Sequence, residues 1–177
     1  MQKFIRNGIV CLLLLSPVFC RAKTPVTHEF SKMSIPSEIQ FSNSNKVAKT
    51  DLLTYTCSGE AVFGAAIVSP LTQLSINFPK SKKNVEVITT AIDSLASIKI
   101  WRVVENDVRD NVIIYLSRDG EHWVTAESAY SADDVTASFV PGRYYVRLTN
   151  PTGNKTSIYK IKYTFGDCNC VLYIPEE

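Results

Sequence analysis

Residues 143–150 read Arg143-Tyr144-Tyr145-Val146-Arg147-Leu148-Thr149-Asn150, and their strict alternation decides the fold. Successive side chains of an extended chain point to opposite faces. Tyr144, Val146 and Leu148 therefore share one face, and Arg143, Tyr145, Arg147 and Thr149 share the other. A segment of this kind buries one side and wets the other, as strands of antiparallel sheets do. The same pattern returns at 157–165, where Tyr159, Ile161, Tyr163 and Phe165 oppose Lys160, Lys162 and Thr164. At 97–104, Ile98, Ile100 and Val104 oppose Lys99 and Trp101. Each large inward side chain contributes about 1.5–3 kcal/mol on burial, before conformational entropy is charged.

Working outward, short runs rich in Val, Ile, Thr, Tyr and Phe recur at 52–56, 61–68, 73–78, 84–90, 111–117, 122–126, 134–140 and 170–174. Gly, Pro, Asn and Asp break them apart, and no useful helical period intervenes. Many short strands with polar turns predict an all-β fold, an antiparallel β-sandwich of jelly-roll type. The sandwich is expected over residues 51–177. Residues 23–50 read as an irregular, polar leader that contributes at most one strand near 38–41.

The first 22 residues have a different logic. Lys3 and Arg6 precede an apolar run at 9–19, and Cys20-Arg21-Ala22 follows. A basic start, a short apolar stretch and a small residue at the cut form a signal peptide, too short in its apolar part to span a bilayer. The reading predicts a secreted or periplasmic protein, with cell-surface association open. Cys20 raises the alternative of a lipid anchor, but Phe19 stands where a small residue is wanted before a lipidated cysteine. The full chain carries 19 Lys and Arg against 17 Asp and Glu. Lys3, Arg6 and Arg21 leave with residues 1–22 and no acid does, so residues 23–177 carry 16 bases against 17 acids, a net charge of −1. The basic character belongs to the targeting segment, and nucleic acid is not an expected partner. No second apolar stretch has transmembrane length.

Export also permits disulfides. Cys57, Cys168 and Cys170 remain after cleavage, an odd number that leaves at least one thiol over. A bridge between Cys168 and Cys170 would be strained, so Cys57 with Cys168 or Cys170 is the better pairing, against the alternative that all are reduced and buried. Zinc is disfavoured, because Cys-x-Cys supplies two ligands and no nearby His completes the set.

Catalytic apparatus is thin. The two histidines are His28 and His122, and no nucleophile elbow, His-Glu-x-x-His or phosphate loop occurs. Asp133 and Asp134 are adjacent, so on a strand their carboxylates point apart. The expectation is a protein that is not an enzyme. The loop at 105–111 gathers oxygen ligands around Asp107 and Asp110, the kind of loop in which calcium, a hard cation, finds its six to eight oxygens. Arg109 offsets part of that charge.

Residues 111–123, NVIIYLSRDGEHW, place Asp119-Gly120 between two apolar runs, as a hairpin requires. The stretch resembles the strand and Ser-x-Asp-Gly-x-x-Trp hairpin of discoidin-like and related jelly-roll modules of bacterial extracellular proteins. Residues 85–101, VEVITTAIDSLASIKIW, are similar to the pair of strands that precede it in such modules, and 54–64, TYTCSGEAVFG, to their opening strands. PGRYYVRLTN at 141–150 resembles the penultimate strand of pre-peptidase C-terminal domains. The resemblance covers about residues 52–165, and it implies an accessory or binding module, in such families often for carbohydrate and often attached to a polysaccharide-degrading enzyme.

Outward-facing aromatics supply a chemical basis for such binding. Trp101, Tyr115 and Tyr145, with Arg143 and Arg147, would form a platform on which the C–H face of a sugar ring stacks while the cations donate hydrogen bonds. The expected function is a secreted, non-catalytic binding module for glycan or another extracellular polymer. The alternative is a structural or surface-assembly protein with a protein partner, using a strand edge or the spare cysteine.

Overall fold

The computed structural model describes residues 23–30, 40–42, 46–68, 71–80, 85–104 and 112–166. In chain order the strands are β1 (Val26–Glu29), β2 (Gln40–Ser42), β3 (Val47–Lys49), β4 (Thr54–Ser58), β5 (Val62–Val68), β6 (Leu71–Phe78) and β7 (Glu86–Thr89). They continue as β8 (Ile92–Val104), β9 (Ile113–Ser117), β10 (Val124–Thr125), β11 (Ser128–Tyr130), β12 (Asp134–Thr149) and β13 (Thr156–Phe165). Among the described residues every strand pairing is antiparallel. The fold is an all-β sandwich.

The front sheet runs β11-β12-β8-β13, with β6 and then β5 beside one end of β13 and β1 beside the rest of it. The back sheet runs β2-β3-β4-β7-β12-β9-β10. β12 belongs to both. Asp134 to Ser138 pair with β8 in front, and Tyr145 to Thr149 pair with β9 behind. Register shifts at Ser138/Gly142 and Gly142/Tyr144 mark the bend between the halves, the usual device by which one strand turns a sandwich corner. Gly142 sits where a Cβ would meet the Tyr144 ring at 2.9 Å.

The core forms from the inward residues of both sheets. Ile98, Ile100, Ile158, Ile161 and Tyr163 come from the front, and Tyr55, Val87, Ile114, Val146 and Leu148 from the back, all 1% exposed or less. The alternation read at 143–150 holds: Tyr144, Val146 and Leu148 are buried and the residues between them are not. A polar chain crosses the core. His28 Nδ1 lies 2.6 Å from the Tyr55 hydroxyl, which lies 2.9 Å from that of Tyr163. Burial alone pulls His28 down to about 4. Burial is also the first cause that raises both tyrosines above their ordinary range.

Three readings of the sequence need correction. The segment at 23–50 is not irregular throughout, since β1 pairs with β13, and β2 and β3 extend the back sheet through β4. Strands of three or four residues are too short to display a period. At 157–165 the inward set is Ile158, Ile161, Tyr163 and Phe165 rather than one beginning at Tyr159. A bulge between Ile158 and Lys160 inserts one residue, and Tyr159 becomes half-buried. In β8 the inward row ends on Arg102, 2% exposed, and Val104 is only half-buried. Cys57 is a free, buried thiol on the inner face of β4, and both partners expected for it lie outside the described residues. Burial pushes the Cys57 thiol up to about 12, against a smaller opposing pull from Lys46. Cys168 and Cys170, Asp107 and Asp110, the signal segment 1–22 and the expected strand at 170–174 lie outside the described residues.

Candidate functional site

The five residues expected to form one platform occupy three places. Trp101 lies on the outer face of the front sheet, because Ile98, Ile100 and Arg102 take the inner face of β8. Tyr115, Tyr145 and Arg147 lie on the outer face of the back sheet, opposite Ile114, Leu116, Val146 and Leu148. Arg143 stands near the bend in β12, its Nε 3.7 Å from Asp93 with both side chains 67% exposed. Alternation assigns a face to each residue but not a sheet, so two opposite surfaces read as one.

On the back sheet, Arg147 is held between two rings. Its guanidinium carbon is 4.5 Å from the Tyr115 centroid and 4.7 Å from that of Trp123. Tyr115 is its cross-strand neighbour, and Trp123 is brought over it by the hairpin. That hairpin is fixed by Asp119. One carboxylate oxygen accepts from the Ser117 hydroxyl and the backbone N–H groups of Glu121 and His122, at 2.8, 2.8 and 2.9 Å. The other lies 2.7 Å from His122 Nδ1. The two backbone donors, His122 first, hold the Asp119 carboxyl well below the usual carboxylate range, with the His122 ring and Ser117 adding to it. Gly120 takes φ +84°, which a residue with a Cβ adopts only under strain. Arg147 Nη1 also lies 3.9 Å from Glu86, so the guanidinium is engaged by two rings and a carboxylate.

On the front sheet, Trp101 lies between cross-strand neighbours Lys160 and Asp134. The ammonium groups of Lys160 and Lys99 lie 4.8 and 5.0 Å from its ring centroid, within cation–π range. Lys99 is bonded in turn to Asp134 at 3.1 Å. Tyr159, displaced outward by the bulge, joins this group. Its hydroxyl is raised by burial first and then by the charges of Asp133, Glu29 and Asp134. The buried Arg102 holds the 131–133 turn from beneath: its backbone N–H donates to the Asp133 main-chain carbonyl at 2.9 Å and its guanidinium to the Ser131 main-chain carbonyl at 3.3 Å. Tyr159 and Arg102 were missed in the sequence. The break in alternation after Ile158, where Tyr159 and Lys160 cannot both face out of a regular strand, was the available signal.

A cleft of about 550 Å³ opens between the β9–β10 hairpin and the bend of β12. Leu116, Val124, Phe139, Val140 and Tyr144 line it, with Arg118, Asp119 and His122 at its rim. Phe139 and Tyr144 meet edge to face at 5.3 Å, and Arg118 lies 5.7 Å from the Tyr144 ring centroid. Among the described residues no three metal-ligating side chains come together, and no helix is long and apolar enough to cross a membrane.

No family model matches this chain, and no curated protein matches it. Among solved structures it is similar to a cleaved adhesin domain of Lys-gingipain, with TM-score 0.51 and 11% identity, covering 80% of this chain and 100% of that one. At that identity the likeness is one of fold. It is also similar, with TM-score 0.39 and 13% identity, to a CBM61 carbohydrate-binding module in complex with β-1,4-galactotriose, over 62% of this chain and 88% of that one. A family two carbohydrate esterase from Cellvibrio japonicus matches with TM-score 0.36 and 11% identity, over 65% of this chain and 35% of that one.

Proposed function

We propose that this is an exported, non-catalytic binding module that takes a glycan or a similar neutral extracellular polymer on the outer face of its front sheet. One observation carries the reading: Trp101 is half-buried on the outer face of the front sheet, with Lys99 and Lys160 over its ring and Asp134 bonded to Lys99. A sugar presents an apolar C–H face and hydroxyls that both donate and accept. The indole supplies the apolar surface. Lys99 and Lys160 donate, while Asp133 and Asp134 accept. The near balance of these charges suits a neutral ligand better than an anionic one. The adhesin domain that shares the fold supports a binding role.

The back-sheet residues Tyr115, Tyr145 and Arg147 contribute nothing to this face, and the Arg147 guanidinium is already engaged by Trp123 and Tyr115. Arg143 is likewise remote from it in register. The test is a glycan array probed with residues 23–177, followed by titration of any hit with Trp101→Ala and Tyr115→Ala. Loss of a central aromatic anchor costs about 2 kcal/mol, roughly 30-fold in Kd. Trp101→Ala should show that loss and Tyr115→Ala should not. Full retention of affinity by Trp101→Ala would remove the front face as the site.

A further inference from the structure

The outer face of the front sheet continues well past the Trp101 group. Trp101 and Asp134 are cross-strand neighbours, and so are Lys99 with Thr136 and Ser97 with Ser138. These pairs share one face, because Ile98, Ile100, Val135 and Ala137 between them are buried on the other. β13 lengthens the three rows with Lys160, Lys162 and Thr164 in turn. Same-face residues repeat about every 7 Å along a strand, so the rows cover about 14 Å from Trp101 to Ser97.

A depression of about 320 Å³ opens beside the second and third rows, lined by Glu127, Ser128, Ala129, Thr136 and Ser138. β11 forms its side wall, since Ala129 pairs with Thr136. The side chains of Ser97, Ser138, Thr164 and Glu127 have no hydrogen-bond or ion-pair partner among the described residues. Hydroxyls both donate and accept, and a carboxylate accepts, so this end of the face suits a polyhydroxylated ligand. Lys99, Lys160 and Lys162 stand among Glu29, Glu127, Asp133 and Asp134, a near balance that favours a neutral one. The polar surface has limits in both directions. Past Trp101 the outward residue of β8 is Val103, apolar and 39% exposed. Past Ser138 and Glu127 lies the apolar cleft, whose rim carboxylate Asp119 is already engaged by Ser117, Glu121 and His122.

We propose that the site runs from Trp101 along β8 and β12 into this depression, and that its ligand is a linear, neutral oligosaccharide of several rings rather than a single sugar. The extension rests on the reading of Trp101 as the stacking residue. One ring lies on the indole, the chain passes over Lys99 and Thr136, and Ser97, Ser138 and Glu127 bond the hydroxyls of the rings beyond.

The test is calorimetric titration of residues 23–177 with cello-, xylo-, manno- and galacto-oligosaccharides of one to six rings. In the series that binds, affinity should rise about tenfold or more from one ring to the length that fills the rows, then level off. Glu127→Gln combined with Ser138→Ala, both exposed positions, should weaken the long oligomers about fivefold and leave the short ones unchanged. Trp101→Ala should weaken all of them. In the natural chain the long oligomers should also shift the Ser97 and Ser138 amide resonances, which a single sugar leaves in place. Equal affinity for short and long oligomers, or a double variant that weakens neither, would overturn the extension and leave the Trp101 site standing. Binding of no oligomer, or binding indifferent to Trp101→Ala, would overturn both.

Discussion

Acidification should destabilise this protein through one buried side chain. His28 is 5% exposed and lies against the rings of Tyr55 and Tyr163 at 5.8 and 5.6 Å between centroids. Burial lowers it from 6.5 to about 4 in the folded state. The unfolded chain therefore binds this proton first as pH falls. The stabilisation is complete above about pH 6.5, falls by about 1.4 kcal/mol per pH unit through the interval, and levels off below about pH 4. The whole window is worth about 3 kcal/mol, of which about 2.4 kcal/mol falls between pH 7 and pH 4.5. That is a large share of the stability of an ordinary domain. The assay is urea denaturation at several pH values across that range, for the natural chain and for His28→Asn. The asparagine keeps a polar group near the Tyr55 hydroxyl but cannot titrate. It should be less stable at neutral pH and flatter in its pH dependence. Carboxylates titrate in both proteins, so only the difference in slope matters. Parallel curves would refute a neutral, buried imidazole as the source of the acid sensitivity.

Gly120→Ala should lower stability by about 1–2 kcal/mol, read as a lower Tm, because φ +84° is strained for alanine. The nearest atoms a Cβ would meet, those of the Tyr145 ring, are 3.7 Å away, so a steric clash adds nothing. Trp123→Ala should cost about 2 kcal/mol in chemical denaturation, since it removes a large apolar ring and one half of the Arg147 stack. Cys57, buried and raised to about 12, should resist iodoacetamide at neutral pH in the native protein and react in urea, as peptide mass spectrometry would reveal.

The strands that were readable are those whose two faces differ in polarity. The second half of β12 and most of β13 announce themselves because Val, Ile, Leu and Tyr alternate with Arg, Lys and Thr. What was lost has identifiable causes. Pro141-Gly142 reads as a turn between two strands, whereas the structure uses it as the bend of one 16-residue strand. A bend and a turn share the same residues and differ only in what lies on either side. Ile92 to Ala96 extend β8 beyond the expected start at Ser97, through Ser94 at φ +60°, a conformation no sequence pattern announces in a serine. Trp101 was readable as an outward aromatic from its own strand. Its distance from Tyr115 and Arg147 was not, because that depends on which sheet each strand joins.

The membership of β12 in both sheets has a mechanical consequence. A conventional sandwich can shear, one layer sliding past the other until the core opens. Here the layers share a continuous covalent strand, clamped in front by β8 and β11 and behind by β7 and β9. Tension applied to either layer is carried into the other through the backbone of residues 138–144. A tether exposed to flow or to a moving polymer would then yield in a single event rather than peel layer by layer. In a pulling experiment this would register as one rupture peak spanning both sheets.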